Sequence, residues 1–111
     1  MKAAVLHDFK QALTIEEVER PRLRDDDVLI KVEACGVCHS DLHVADGDWT
    51  QLAGIVKKPV ILGHEIAGSV VEKGAAVKNL QIGDRVGVPW LHWSCGECEF
   101  CREGKIGRAH V

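Results

Sequence analysis

Val28-Leu29-Ile30-Lys31-Val32-Glu33-Ala34-Cys35-Gly36-Val37-Cys38-His39-Ser40-Asp41-Leu42-His43-Val44 is the stretch that decides how this chain is read. Its first seven residues alternate partially between apolar and charged side chains, the pattern of a strand with one face against a core. The far end of that strand delivers Cys35 and Cys38. Ser40 to Val44 then predicts a short helical turn, capped by Ser40 or His39, because no glycine or proline interrupts before Gly47.

Outward from this stretch, apolar residues recur in short, β-branched runs separated by glycine- or aspartate-rich breaks. Further strands are expected over Lys2 to His7, Leu13 to Val18, Ile66 to Lys73 and Arg85 to Val88, with a charged, proline-containing turn over Arg20 to Asp27. Many short strands and little helix predict a mainly β fold, a small barrel.

With 111 residues the chain supports one domain with a modest core. Its 46% hydrophobic and 28% charged residues are ordinary for a globular protein, and a net charge of -3 with interspersed signs argues against nucleic acid or an anionic membrane as partner. The most apolar stretch, Val60 to Val71, is short and carries His64 and Glu65, so no membrane span is expected. The N-terminus lacks an apolar run of secretory length, which points to a cytoplasmic location. There thiols stay reduced, and the 5 cysteines read as metal ligands rather than disulfides.

Two metal positions are the simplest interpretation. Cys95, Cys98 and Cys101 have the three-residue spacing that lets thiolates converge on one tetrahedral zinc with bonds of about 2.3 Å. Cys35, Cys38, His39, His43 and His64 form a separate thiol and imidazole set. Cys35 reads as a small core residue, since free cysteine packs well in cores.

Gly63-His64-Glu65-Ile66-Ala67-Gly68-Ser69-Val70-Val71-Glu72-Lys73-Gly74-Ala75-Ala76-Val77 fits the pattern GHE-x2-G-x5-G-x2-V along its whole length. This resembles the zinc-containing medium-chain alcohol dehydrogenases, and Cys35 to His43 with Gly47-Asp48-Trp49 is similar to that family's first metal-binding segment. The resemblance implies a GroES-like, partly open β-barrel with short helical turns and a cysteine-rich lobe at about 92–104. It covers residues 1–104 and implies an N-terminal part of a longer enzyme. No G-x-G-x-x-G follows a strand here, so the Rossmann domain is expected to be absent.

By that resemblance, Cys38 and His64 are ligands of a catalytic zinc, a third ligand being a cysteine beyond this chain. Glu65 resembles the carboxylate near the metal, and Asp41 the acid that orients the ligand histidine. Ser40 and His43 resemble a proton relay, with Ser40 also readable as a plain helix cap. His39 is similar to the position facing the cofactor pyrophosphate. Trp49 and Trp90 resemble walls of a substrate pocket suited to short alcohols, and read equally as rim aromatics. The implied reaction oxidises a small primary or secondary alcohol to an aldehyde or ketone by hydride transfer to NAD or NADP, in a parent that is a homo-oligomer. Gly63, Gly68 and Gly74 serve backbone geometry.

The family's lobe pattern, C-x2-C-x2-C-x7-C, implies a fourth zinc ligand at position 109, where this chain has Ala109. His110 is the nearest substitute donor and carries no assignment. Lys105 to Val111 departs from the family and reads as a non-native tail: the nucleotides AAGATCGGAAGAGCACACGTC, a library-adapter sequence, encode this heptapeptide. With a ligand missing at each site, zinc binding is expected to be weak and turnover absent in this chain alone. The alternative is a non-catalytic GroES-like zinc-binding or interaction module, against which stands the joint presence of Cys38, His64, Glu65, Ser40 and His43.

Overall fold

A computed structural model of the chain describes residues 1–51, 54–91 and 93–108. Its elements are β1 (Lys2–Leu6), β2 (Thr14–Glu17), β3 (Val28–Gly36), α1 (His39–Asp46), β4 (Val60–Ile61), β5 (Glu65–Lys73), β6 (Arg85–Val88), α2 (Glu99–Arg102) and a 3-10 turn at Ile106–Arg108. The fold is mainly β with few helices.

The strands form two open antiparallel sheets of three, ordered β2-β1-β4 and β3-β5-β6. The β3–β5 ladder runs from Val28 opposite Lys73 to Gly36 opposite Glu65, with register shifts at Leu29/Ile30 and Val32/Ala34 that bend the strand. Gly68 fits this ladder because a Cβ there would overlap the carbonyl oxygen of Lys31. The pairing ends beside two of the expected site residues. Cys38 follows β3 by two residues, and His64 immediately precedes β5.

The five expected strands are present within one or two residues of their predicted limits. The two-residue β4 and the single-turn α2 were not foreseen, being too short to show a period. Among the described residues the buried hydrophobic side chains are Val5, Leu6 and Val70, on β1 and β5. Contrary to expectation, β3 buries no face: its first three residues are partly covered and the remainder exposed, Val32 at 56%. Cys35 is likewise exposed rather than a core residue.

The accessible surface of 8481 Å² exceeds the roughly 6,100 Å² expected of a compact monomer of this mass. The radius of gyration, 15.8 Å, likewise exceeds the roughly 13 Å of a compact domain. The open sheets leave Val37, Leu42, Ile61 and Ile82 in solvent. No helix among the described residues is long and apolar enough to cross a membrane.

Candidate metal centre

Helix α1 is capped by Cys38, not by the expected Ser40 or His39. Cys38 is the N-cap residue in extended conformation, and Asp41, three residues on, accepts its N–H through Oδ2 at 3.0 Å. A carboxylate at this position is a stronger acceptor than a hydroxyl and also complements the helix dipole. The helix ends at Gly47, whose φ of 67° supplies the left-handed cap.

The same carboxylate reaches across to the loop before β5. Asp41 Oδ1 accepts the Gly63 N–H at 3.2 Å and lies 3.1 Å from His64 Nδ1. Because a carboxylate accepts only, Nδ1 is the protonated nitrogen of His64 and Nε2 is its lone-pair nitrogen. Both side chains are largely covered, at 15% and 17% exposure, which keeps water from competing for the bond. One side chain thus ties together the two loops that carry Cys38 and His64.

The donor atoms of Cys38, His64 and Glu65 all lie within 4.8 Å of one another. A tetrahedral zinc with bonds of about 2.3 Å to sulfur and about 2.0 Å to nitrogen spaces its donors by roughly 3.5 Å, so a set grouped this closely suits such an ion. Glu65 approaches because Gly36, its ladder partner, has no side chain. A Cβ at that position would overlap Glu65 Oε2.

Ser40 and His43 stand three residues apart on α1, hence on one helix face. His43 hydrogen-bonds His39 and Asp48 through its two ring nitrogens. Trp49 lies 5.6 Å from the His43 ring, Trp90 lies 4.4 Å from the His64 ring, and the two indoles meet edge to face at 6.4 Å. Together they border a pocket of about 200 Å³ that Phe9, Ile55 and Val56 also line. Trp90 further borders a cleft of about 710 Å³ containing His64 and Glu65. Phe9 comes from the β1–β2 connection, and no local pattern in the sequence marked it for this pocket.

A second donor cluster lies around α2. The sulfurs of Cys95, Cys98 and Cys101 are within 4.8 Å of one another, and Cys95 to Cys101 is 3.8 Å. Two thiolates on a tetrahedral zinc are separated by about 3.8 Å, so the spacing suits that ion. The Cys98 N–H points at Cys95 Sγ at 3.4 Å. Burial, and next the Cys98 side chain, push the Cys101 thiol above its ordinary value. The expected lobe boundary at His92, the missing ligand at Ala109 and the alternative donor His110 lie outside the described residues.

Comparison with known proteins gives a consistent picture. The alcohol dehydrogenase GroES-like domain matches residues 24–110. Over 105 residues, 95% of this chain and 30% of the relative, the chain is 57% identical to an alcohol dehydrogenase of Geobacillus stearothermophilus. Over 104 residues, 94% of the chain and again 30% of the relative, it is 53% identical to an alcohol dehydrogenase of Rhizobium meliloti. Among solved structures, the alcohol dehydrogenase of the hyperthermophilic archaeon Aeropyrum pernix superposes with a TM-score of 0.83 at 39% identity, covering 99% of this chain and 32% of that one. CAD from Helicobacter pylori, solved in complex with NADP(H), gives a TM-score of 0.81 at 34% identity, covering 97% and 30%. The chain therefore spans about 30% of the length of the relatives it matches.

Proposed function

This chain belongs to the alcohol dehydrogenase GroES-like domain family, and we propose that it forms the front of a zinc-dependent enzyme oxidising small primary or secondary alcohols to aldehydes or ketones, with hydride passing to NAD or NADP. The observation that carries the reading is the convergence of Cys38, His64 and Glu65 within 4.8 Å, with Asp41 behind His64. Cys38 and His64 would hold the catalytic zinc, with the Glu65 carboxylate beside them as a further donor. Zinc bound there supplies Lewis acidity that polarises the substrate oxygen.

The remaining roles belong to side chains of this chain. Asp41 orients His64 and fixes its tautomer. Ser40 and His43 move the hydroxyl proton of the substrate towards solvent, and His43, half-buried on α1, is the acceptor of that proton. His39 faces the cofactor pyrophosphate. Trp49 and Trp90 restrict the pocket to short alcohols. Cys95, Cys98 and Cys101 hold a structural zinc in the lobe.

Alone, the 111 residues do not turn over substrate, since the nicotinamide-binding part lies in the remainder of the homo-oligomeric parent. The exposure of Val32 on β3 and Leu42 on α1, together with an accessible surface of 8481 Å², supports this, because these side chains suit coverage by further protein. Residues 1–104 constitute the native segment and 105–111 the non-native tail. Sequencing the source DNA past codon 104 tests that division, and native coding sequence reading through Lys105 to Val111 would reject it. The functional test is assay of the extended gene product with short alcohols and either nicotinamide. Alcohol-dependent reduction of the cofactor is expected, and its absence in a zinc-loaded, folded product would overturn the reading.

A further inference from the structure

Beyond the metal centre, α1 and the turn after it carry a chain of three polar side chains. His39 Nδ1 lies 2.9 Å from His43 Nε2, and His43 Nδ1 lies 2.8 Å from Asp48 Oδ2. The direction of each bond follows from valence. Carboxylate oxygen accepts only, so His43 Nδ1 carries the proton and donates to Asp48. A neutral imidazole has one N–H, which leaves His43 Nε2 as a lone-pair acceptor for the His39 Nδ1–H.

The backbone holds this arrangement. The left-handed turn at Gly47 brings Asp48 back onto the helix end, where its N–H donates to the His43 carbonyl at 3.0 Å. The Trp49 ring, tilted 31° at 5.6 Å from His43, and the His39 ring at 4.5 Å bound the imidazole on two sides. Asp48 is more than a chance surface partner in this setting, since backbone, ring packing and side chain all fix the same pair.

We propose that Asp48 is a positioning residue that locks His43 in the Nδ1–H tautomer, leaving Nε2, the nitrogen turned towards His39 and the start of α1, as the relay's basic atom. The inference rests on the proposed relay role of His43. It assigns a function to a residue outside the zinc ligands and the GHE segment. Charge gained by His43 during the reaction then forms 2.8 Å from the Asp48 carboxylate, which stabilises it.

Two measurements decide it. Long-range proton–nitrogen NMR on this chain is expected to find His43 protonated at Nδ1, with Asp48→Ala shifting it to the Nε2–H form and Asp48→Glu restoring the original. In the full-length enzyme, Asp48→Ala lowers kcat about tenfold with KM for the alcohol little changed, and Asp48→Glu recovers most of the loss. An Nε2–H tautomer in the wild type, a tautomer indifferent to Asp48→Ala, or a kcat that does not respond would each overturn the proposal. Should the chain give no resolved spectrum, the kinetic arm decides. Should the wild-type enzyme oxidise no alcohol, the proposed function fails while the tautomer still decides the role of Asp48.

Discussion

Asp41 Oδ1 accepts a hydrogen bond from His64 Nδ1 at 3.1 Å, which leaves Nε2 of that ring as the donor available to a cation. Because the same carboxylate also accepts the N–H groups of Cys38 and Gly63, it sets the separation of the two loops as well as the ring's orientation. In the full-length enzyme, Asp41→Ala is expected to weaken zinc binding at this centre by about 10- to 100-fold, measured by chelator competition. An unchanged affinity would show that the ligands are ordered without it.

The β3–β5 ladder makes a separate prediction. A Cβ on Gly68 would overlap the Lys31 carbonyl oxygen and crowd Ile30, whereas one on Gly87 meets only the Ile66 carbonyl at 3.7 Å, an ordinary contact. Gly68→Ala should therefore destabilise the protein by about 1–3 kcal/mol, and Gly87→Ala by much less, in urea unfolding. Equal effects would mean the strands are not in this register.

Acid should loosen the entry to β3. The Arg24 guanidinium bonded to Asp27 holds that carboxyl below its ordinary value, and the Asp27 carbonyl in turn accepts the Gly74 N–H at 2.9 Å. A lowered carboxylate pKa contributes stability that is full above the unfolded value, about 3.9, and is lost as pH falls through the lower folded value. Urea midpoints should thus fall more steeply below about pH 4 for the wild type than for Asp27→Asn, and the difference should shrink in high salt. Parallel pH profiles would remove Asp27 from the account.

Much of this was legible in the sequence, for physical reasons. Ile66 to Lys73 and Arg85 to Val88 announced themselves through β-branched runs between glycines, and Cys38 and His64 through motif spacing. The burial of β3 was misjudged because alternation reports which residues share a face, not whether another layer covers it. Exposed Cys35 is the same error one residue beyond Ala34. The N-cap fell to Cys38 rather than Ser40 or His39 because Asp41, three residues along the helix, accepts the Cys38 N–H, and that reciprocal geometry is not visible in residue type alone. Asp48, present in the Gly47-Asp48-Trp49 segment, carried no role and Phe9 no mention, because what they do depends on a left-handed turn and on a loop distant in the chain.

The paired indoles predict how specificity responds. Trp49 and Trp90 meet at 6.4 Å and both border the pocket of about 200 Å³ beside His43. In the full-length enzyme, Trp49→Ala should raise kcat/KM for bulkier alcohols relative to ethanol by about tenfold or more, an effect of the size that removing packing contacts allows. A uniform loss across all alcohols would instead mark Trp49 as a structural residue.

The central claim is that the Cys38 sulfur and the His64 imidazole share one divalent cation. Anomalous diffraction at the zinc edge from crystals of the full-length enzyme tests it most directly. The expected result is a zinc peak about 2.3 Å from Cys38 Sγ and about 2.0 Å from His64 Nε2, with Nδ1 still bonded to Asp41. A zinc-replete enzyme with no peak between those two side chains, or with either of them turned away from it, would contradict the account.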